Sequence, residues 1–340
     1  MLFSGLFVFI EIMKYYKITN KDIWQGRVDD PVDRDSFRWH QVVEPVDLSD
    51  PNLRVPEKGK TGFCFLGFCS DEGVVRNLGR PGTVKAPDSI RKEMANLPCY
   101  FGKDTVLYDA GNIYCGEDLE EGLEVLSVCI ELILSANLFP VVLGGGHEIA
   151  FGHYNGLLKH LPDNIKTGII NLDAHFDLRP YDKGISSGCM FLKLADQCKN
   201  SQRDFCYYCL GIQRYSNTPS LFRKADSIGA GYIPATDIKD SDISKVFAGI
   251  NNFISGKDHI YLTICADVFS SAYAPGVSAP QPFGLHPEIV LKLIKHIISS
   301  GKVISCDIAE VSPRFDEDNR TSKLAAVTIF AIINTATGNL

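Results

Sequence analysis

Seven stretches of the chain are apolar almost without interruption: GFCFLGF (62–68), TVLYDAG (105–111), FPVVLGGG (139–146), TGIINLD (167–173), FCYYCLGI (205–212), HIYLTICAD (259–267) and GKVISCDIAE (301–310). A strand with one wet face alternates apolar and polar residues, whereas a continuous run marks a strand buried on both faces. Strands of that kind form a parallel sheet covered by helices, and amphipathic helical segments do lie between them, as at 117–136 and 286–300. The pattern predicts an α/β fold whose chemistry sits where the strands end, since open parallel sheets bind ligands beyond the carboxyl ends of their strands. No repeat, low-complexity tract or linker divides the runs, so one domain spanning residues 1–340 is expected. Residues 14–60 are polar and interrupted by proline, and read as an N-terminal wrap with short helices.

The strand ends carry the informative side chains. After the run 167–172 come Asp173, His175 and Asp177 at alternate positions. In a strand, alternate residues share a face, so the three can look into one pocket. Fully extended they would span about 13 Å, too far for one ion. Either the backbone curls after Asp173, or two ions share ligands, a role suited to a carboxylate with two oxygens. The run 139–143 ends in three glycines that allow a sharp turn and deliver His147 to the same end of the sheet. Asp267 and Glu310 end two further runs, the first followed by a proline-rich loop that should be rigid.

Charge and cysteine content narrow the class of protein. With 34 basic and 41 acidic residues the net charge is −7, and no basic run suggests a nucleic-acid partner. A hydrophobic fraction of 45% suits a globular chain with a large core. Eleven cysteines, an odd number without a paired framework, point to reduced thiols and a cytoplasmic protein. Cys206 and Cys209 form a CxxC without a second pair or histidines to complete a zinc site, and are expected to be ordinary strand thiols. The apolar start is too short to span a bilayer and lacks the flanks of a secretory signal, so no membrane partner is expected. Translation is expected to begin at Met13, leaving the residues before it as an extension outside the fold.

Taken in order, the segments VVLGGGHEIAFGHYNGL, IINLDAHFDLRPYD, LTICADVFSSAYAPGVSAPQPFGLHP and VISCDIAEVSP resemble the ureohydrolase family of arginases, agmatinases and formiminoglutamases, from about Gly67 to Pro313. The resemblance implies a three-layer α/β/α fold with a central eight-stranded parallel sheet, a small-molecule substrate, two Mn²⁺ ions per chain and self-association. His147, Asp173, His175, Asp177 and Asp267 match five of the six metal-ligand positions. The family's sixth is the first aspartate of an Asp-x-Asp, where this chain has Cys265. A thiolate can bridge metals, but it is soft where Mn²⁺ prefers oxygen. Cys265 is therefore either a ligand that alters the metal centre or a core thiol facing away from it.

Within that family, SDEGVVRNLGRPGTVKAPDSIRKEM (70–94), DAHFDLRP, ISSGCMF (185–191) and GVSAPQPFGLHP are most similar to formiminoglutamases, which hydrolyse N-formimino-L-glutamate to glutamate and formamide in histidine breakdown. The histidine that arginases carry near Gly188 and Cys189 is absent. Arg179, two residues past Asp177, brings to the rim a guanidinium that suits a carboxylate and not the dication agmatine. The resemblance implies that Asp177 orients the hydrolytic water and accepts its proton, that Glu310 pairs with the amidine-like head, and that Asp267 returns a proton to the leaving amine. Asn77 and Ser187 are expected as substrate contacts on the same ground. Other readings of the scaffold are an agmatinase or guanidino-acid hydrolase, a single-zinc amidohydrolase, and a metal-deficient, non-catalytic member.

Overall fold

The apolar runs do form strands. The computed structural model describes residues 14–50, 53, 56–57, 59–116 and 118–339, so the expected start at Met13 lies outside the described residues. Its strands are β1 (Tyr16–Lys17), β2 (Val43–Pro45), β3 (Thr61–Cys69), β4 (Thr105–Tyr114), β5 (Leu138–Leu143), β6 (Thr167–Leu172), β7 (Tyr207–Ile212), β8 (Gly231–Pro234), β9 (His259–Cys265) and β10 (Val303–Ala309). They join in one sheet in the order β1-β4-β3-β5-β10-β9-β6-β7-β8, with β2 also on β4. Every pairing is parallel except that of β1 with β4. Seven of the parallel strands, β3–β7, β9 and β10, are the seven apolar runs; β8 brings the number to the eight that the resemblance implies, and the two short N-terminal strands extend that sheet at one edge.

Helices cover both faces. Among the described residues they are α1 (Glu72–Arg76), α2 (Ala86–Ala95), α3 (Leu119–Ser135), α4 (Ile149–His160), α5 (Met190–Asn200), α6 (Pro219–Ser227), α7 (Ile243–Ser255), α8 (Pro287–Ile298) and α9 (Arg320–Ala336). Alternate strand residues feed two cores, as continuous apolar runs require. Ile169 and Tyr261 join the layer holding Leu126, Ile130, Tyr154 and Phe191 of α3, α4 and α5. Ile170, Leu262 and Ile264 join the layer of α2, α7, α8 and α9, with Ile90, Ile250, Leu293 and Ile329. None of the described helices is long and apolar enough to cross a membrane.

The wrap consists of β1, β2 and single helical turns at Lys21–Ile23, Arg34–Ser36 and Trp39–Gln41. It is pinned by Trp24, whose Nε1 donates to Asp109 Oδ2 at 2.6 Å. The same buried carboxylate takes Nε and Nη2 of Arg91 at 2.8 Å each, which satisfies a charge that would otherwise be costly inside the fold.

Candidate metal centre

Strands β5, β10, β9 and β6 are consecutive in the centre of the sheet, and the segments leaving their carboxyl ends converge. After β5, Gly144 and Gly145 take φ values of +77° and +79°, a left-handed conformation that glycine adopts without strain. A Cβ on Gly144 would lie 2.7 Å from Pro87 and 2.8 Å from Ala86, so the turn also lacks room for any side chain. It presents His147 immediately before α4.

The segment after β6 departs from the strand reading. The strand ends at Leu172, and Asp173 Oδ1 accepts the backbone N–H of His175 at 2.7 Å, a turn closed by a side chain. Asp177 has φ +50°. The backbone therefore curls, and curling rather than strand alternation brings the three side chains together. Cys265 is likewise the last residue of β9, with Asp267 in the helical turn Ala266–Val268.

The resulting distances are those of a compact polar cluster. His147 Nδ1 lies 2.9 Å from Asp173 Oδ2 and 3.0 Å from Asp177 Oδ2. His175 Nδ1 lies 3.0 Å from Asp267 Oδ2 and 3.6 Å from Asp173 Oδ1. Two sets of ligand atoms each fall within 4.8 Å of one another: His147, Asp173 and Cys265, and Asp173, His175 and Asp267. Asp173 belongs to both. The Cys265 Sγ therefore lies in the cluster, beside His147 and Asp173.

Burial sets the electrostatics. It opposes ionisation of Asp173, yet the hydrogen bonds and charges of His147 and His175 outweigh it and hold the carboxyl below the usual range. Burial likewise opposes charge on His147, and Asp173 and Asp177 outweigh it to hold the imidazole well above its ordinary value. Burial, then the charge of Asp173, pushes Asp177 up to about 6. Burial also pushes up Glu310, whose Oε1 accepts the N–H of His147 at 3.1 Å. Several carboxylates thus share a site largely closed to water, which requires compensating positive charge. The donor set fits a pair of divalent ions: oxygens and imidazoles dominate, and the one carboxylate common to both groups has two oxygens to offer. The Cys265 thiol is the exception. Burial and Asp173 push it up, so it can ligate as thiolate only beside a bound cation.

Above the cluster opens a cavity of about 240 Å³. His147, His175, Asp177, Cys265, Asp267 and Glu310 line it, together with Asn77, Ser187 and the exposed Arg179. Asn77 Nδ2 donates to Ser187 Oγ at 3.3 Å. Two groups escaped the sequence reading. Arg80, Leu78 and Ser278 also line the cavity. Behind His147 lies a buried chain in which its Nε2 meets Thr263 Oγ1 at 2.9 Å and Thr263 donates to Asp307 Oδ1 at 2.6 Å. Asp307 Oδ2 in turn meets His153 Nδ1 at 2.7 Å and accepts from Tyr261. An acid in the middle of an apolar strand such as SCDIA was the available signal for Asp307.

The sequence model of the Arginase family matches residues 61–334, the span that carries all of these groups. The chain belongs to the arginase family. Within it, the chain is 54% identical to a formimidoylglutamase of Clostridium tetani over 325 residues, covering 94% of this chain and 96% of that protein. A formimidoylglutamase of Geobacillus thermodenitrificans is 44% identical over 312 residues, covering 92% of this chain and 94% of that one. Among arginase-family structures, formimidoylglutamase from Bacillus subtilis superposes with a TM-score of 0.76 at 20% identity, covering 92% of this chain and 96% of that chain. Trypanosoma cruzi formiminoglutamase with Mn²⁺ gives 0.73 at 24% identity, covering 86% and 99%. These structures share the arginase fold with the chain.

Proposed function

We propose that this arginase-family chain is a Mn²⁺-dependent formimidoylglutamase, hydrolysing N-formimino-L-glutamate to L-glutamate and formamide in histidine breakdown. The observation that carries the reading is the sharing of Asp173 by two ligand groups at the base of a cavity whose mouth is cationic. The 54% identity to the C. tetani formimidoylglutamase supports the substrate, and Mn²⁺ in the T. cruzi structure supports the metal. Eleven free cysteines suit a cytoplasmic enzyme. We take the chain as one arginase-like domain that self-associates, in keeping with its family.

In this reading His147, Asp173, Asp177 and Cys265 hold one ion, and Asp173, His175 and Asp267 hold the other. Two divalent ions held there would supply Lewis-acid activation of the hydrolytic water. Asp177 faces the cavity and accepts the proton that the water gives up. Glu310, held by the His147 N–H, pairs with the cationic N–H groups of the formimino head and keeps its carbon over the cluster. The proton that Asp177 takes up is passed by way of Asp267 to the departing amine, so that glutamate leaves with a neutral amino group and the former water oxygen leaves in formamide. Arg179, Asn77 and Ser187 hold the acidic end of the substrate. A cationic mouth suits this dicarboxylate and repels agmatine.

One observation favours a second reading. Sγ of Cys265 sits in the first ligand group, and a soft donor there favours zinc over manganese. Counting metal on protein purified without chelator separates the cases. About two manganese per chain with turnover supports the proposal, one zinc supports the second reading, and none after Mn²⁺ reconstitution contradicts both.

A further inference from the structure

The cavity mouth carries a second guanidinium that, like Arg179, has no carboxylate partner and lines the cavity. Arg38, Arg76, Arg91, Arg203 and Arg320 all pair with carboxylates. Among the described residues neither Arg80 nor Arg179 has such a partner, and both line the cavity. Arg80 is nevertheless held in place. Its Nε donates to Ser278 O at 3.0 Å, its Nη2 to Val277 O at 2.6 Å, and its backbone N–H to Ser278 Oγ at 2.8 Å. The guanidinium lies over the ring of Phe315, 4.2 Å from the centroid. Five N–H groups radiate from a guanidinium, and these contacts use two of them. The end bearing Nη1 stays available in a fixed orientation, and two main-chain carbonyls leave its positive charge uncompensated.

The segment that carries Arg80 is built just as firmly. Leu78 has φ +61° and is 95% exposed at the cavity mouth, a combination rare for a bulky side chain. The next residue has no room for a side chain: a Cβ on Gly79 would lie 2.6 Å from Ser278 Oγ and 3.0 Å from Val74 O. Such backbone geometry recurs at ligand clamps. It fixes Arg80 over the loops that follow β9 and β10, whereas Arg179 follows β6. The two arginines therefore approach the cavity from different strand ends.

We infer that Arg80 is a second carboxylate-binding residue, so that Arg80 and Arg179 each hold one carboxylate of a dicarboxylate substrate; this rests on the hydrolase reading above. N-formimino-L-glutamate carries one carboxylate beside the formimino nitrogen and another at the end of its side chain. A single guanidinium leaves one of them facing the acidic cluster unpaired. Two clamps, each bidentate, fix both the position of the chain and its handedness.

The test compares three substrates on the Mn²⁺-loaded full chain: N-formimino-L-glutamate, N-formimino-4-aminobutanoate, which lacks the first carboxylate, and N-formimino-2-aminobutanoate, which lacks the second. Arg80→Gln should lower kcat/KM on the full substrate by about 10- to 100-fold, chiefly through KM, the loss typical of a hydrogen bond to a charged group. It should penalise the analogue that keeps its carboxylate far more than the one that lacks it, and Arg179→Gln should penalise the opposite analogue. An equal loss on all three substrates, or none on any, overturns the inference. Arg80→Lys keeps the charge without the fork and covers a failure of R80Q to fold; it should show the same selectivity at smaller size, and an equal loss again overturns it. Glutarate and butyrate supply a readout independent of turnover. Glutarate should raise the Tm of the wild-type chain and not of R80Q, while equal shifts in both contradict the clamp. A wild-type chain that ignores N-formimino-L-glutamate but binds glutarate through Arg80 refutes the hydrolase reading and upholds the clamp.

Discussion

Nε2 of His147 lies 2.9 Å from Oγ1 of Thr263, and that contact determines which imidazole nitrogen is free to bind metal. Asp307 only accepts, so the Thr263 hydroxyl donates to it and Thr263 Oγ1 accepts from His147 Nε2–H. The proton is thereby assigned to Nε2, leaving Nδ1 to face Asp173 and the ligand group. Thr263→Val keeps the shape and removes the hydroxyl. Mn²⁺ affinity should fall by about 10- to 100-fold, and stability by about 1–3 kcal/mol, from the loss of an outer hydrogen bond and two buried polar partners. A Mn²⁺ titration alongside a thermal melt measures both, and unchanged metal affinity would show that Thr263 does not orient His147.

Asp173 is the carboxylate common to both ligand groups. Asp173→Asn removes its charge from each and should abolish activity while cutting bound metal. Metal analysis of the purified variant decides the point: near-normal stoichiometry means that Asp173 is not a ligand.

Cys265 permits the opposite experiment. Its Sγ already faces His147 and Asp173, so Cys265→Asp places a hard oxygen there with little change of volume. Mn²⁺ should bind more tightly with the Tm maintained. A lower Tm without tighter binding would mean that the new carboxylate is buried away from the metals, at a cost of several kcal/mol.

The thiols should be slow to react. Thiolate is the nucleophile, so a raised pKa keeps a cysteine neutral and inert to higher pH. Burial pushes Cys129 and Cys99 up to about 12 and Cys115 up to about 11. Nine of the eleven cysteines are fully buried, with Cys99 and Cys206 half-buried. Iodoacetamide at pH 7.5 should therefore label the folded chain slowly and at those two positions first, and all eleven in urea. Mass spectrometry of the folded protein showing prompt alkylation of Cys129 would contradict this packing.

The sheet was legible because its strands are buried on both faces, which leaves uninterrupted runs such as TGIINL and HIYLTIC. Strand β8 was not, since GYIP lies at the sheet edge with all four residues half-buried and offers neither a continuous nor an alternating pattern. The candidate ligands were visible as acids and histidines ending apolar strands, although the sequence left open whether a curl after Asp173 or a pair of ions brings them together, and the left-handed Asp177 shows the curl. Arg80 and Thr263 were hidden because their partners are distant in sequence. Arg80 meets Ser278 across 198 positions and Thr263 meets His147 across 116, separations over which no local pattern carries information.

The most direct measurement is product release by the Mn²⁺-reconstituted chain offered N-formimino-L-glutamate, L-arginine and agmatine at equal concentration. The account expects glutamate and formamide from the first, dependent on Mn²⁺, and little turnover of the other two, because the cavity places cationic Arg179 above the ligand groups. Turnover of arginine comparable to that of the formimino substrate, or no formamide from a fully metal-loaded chain, would contradict it.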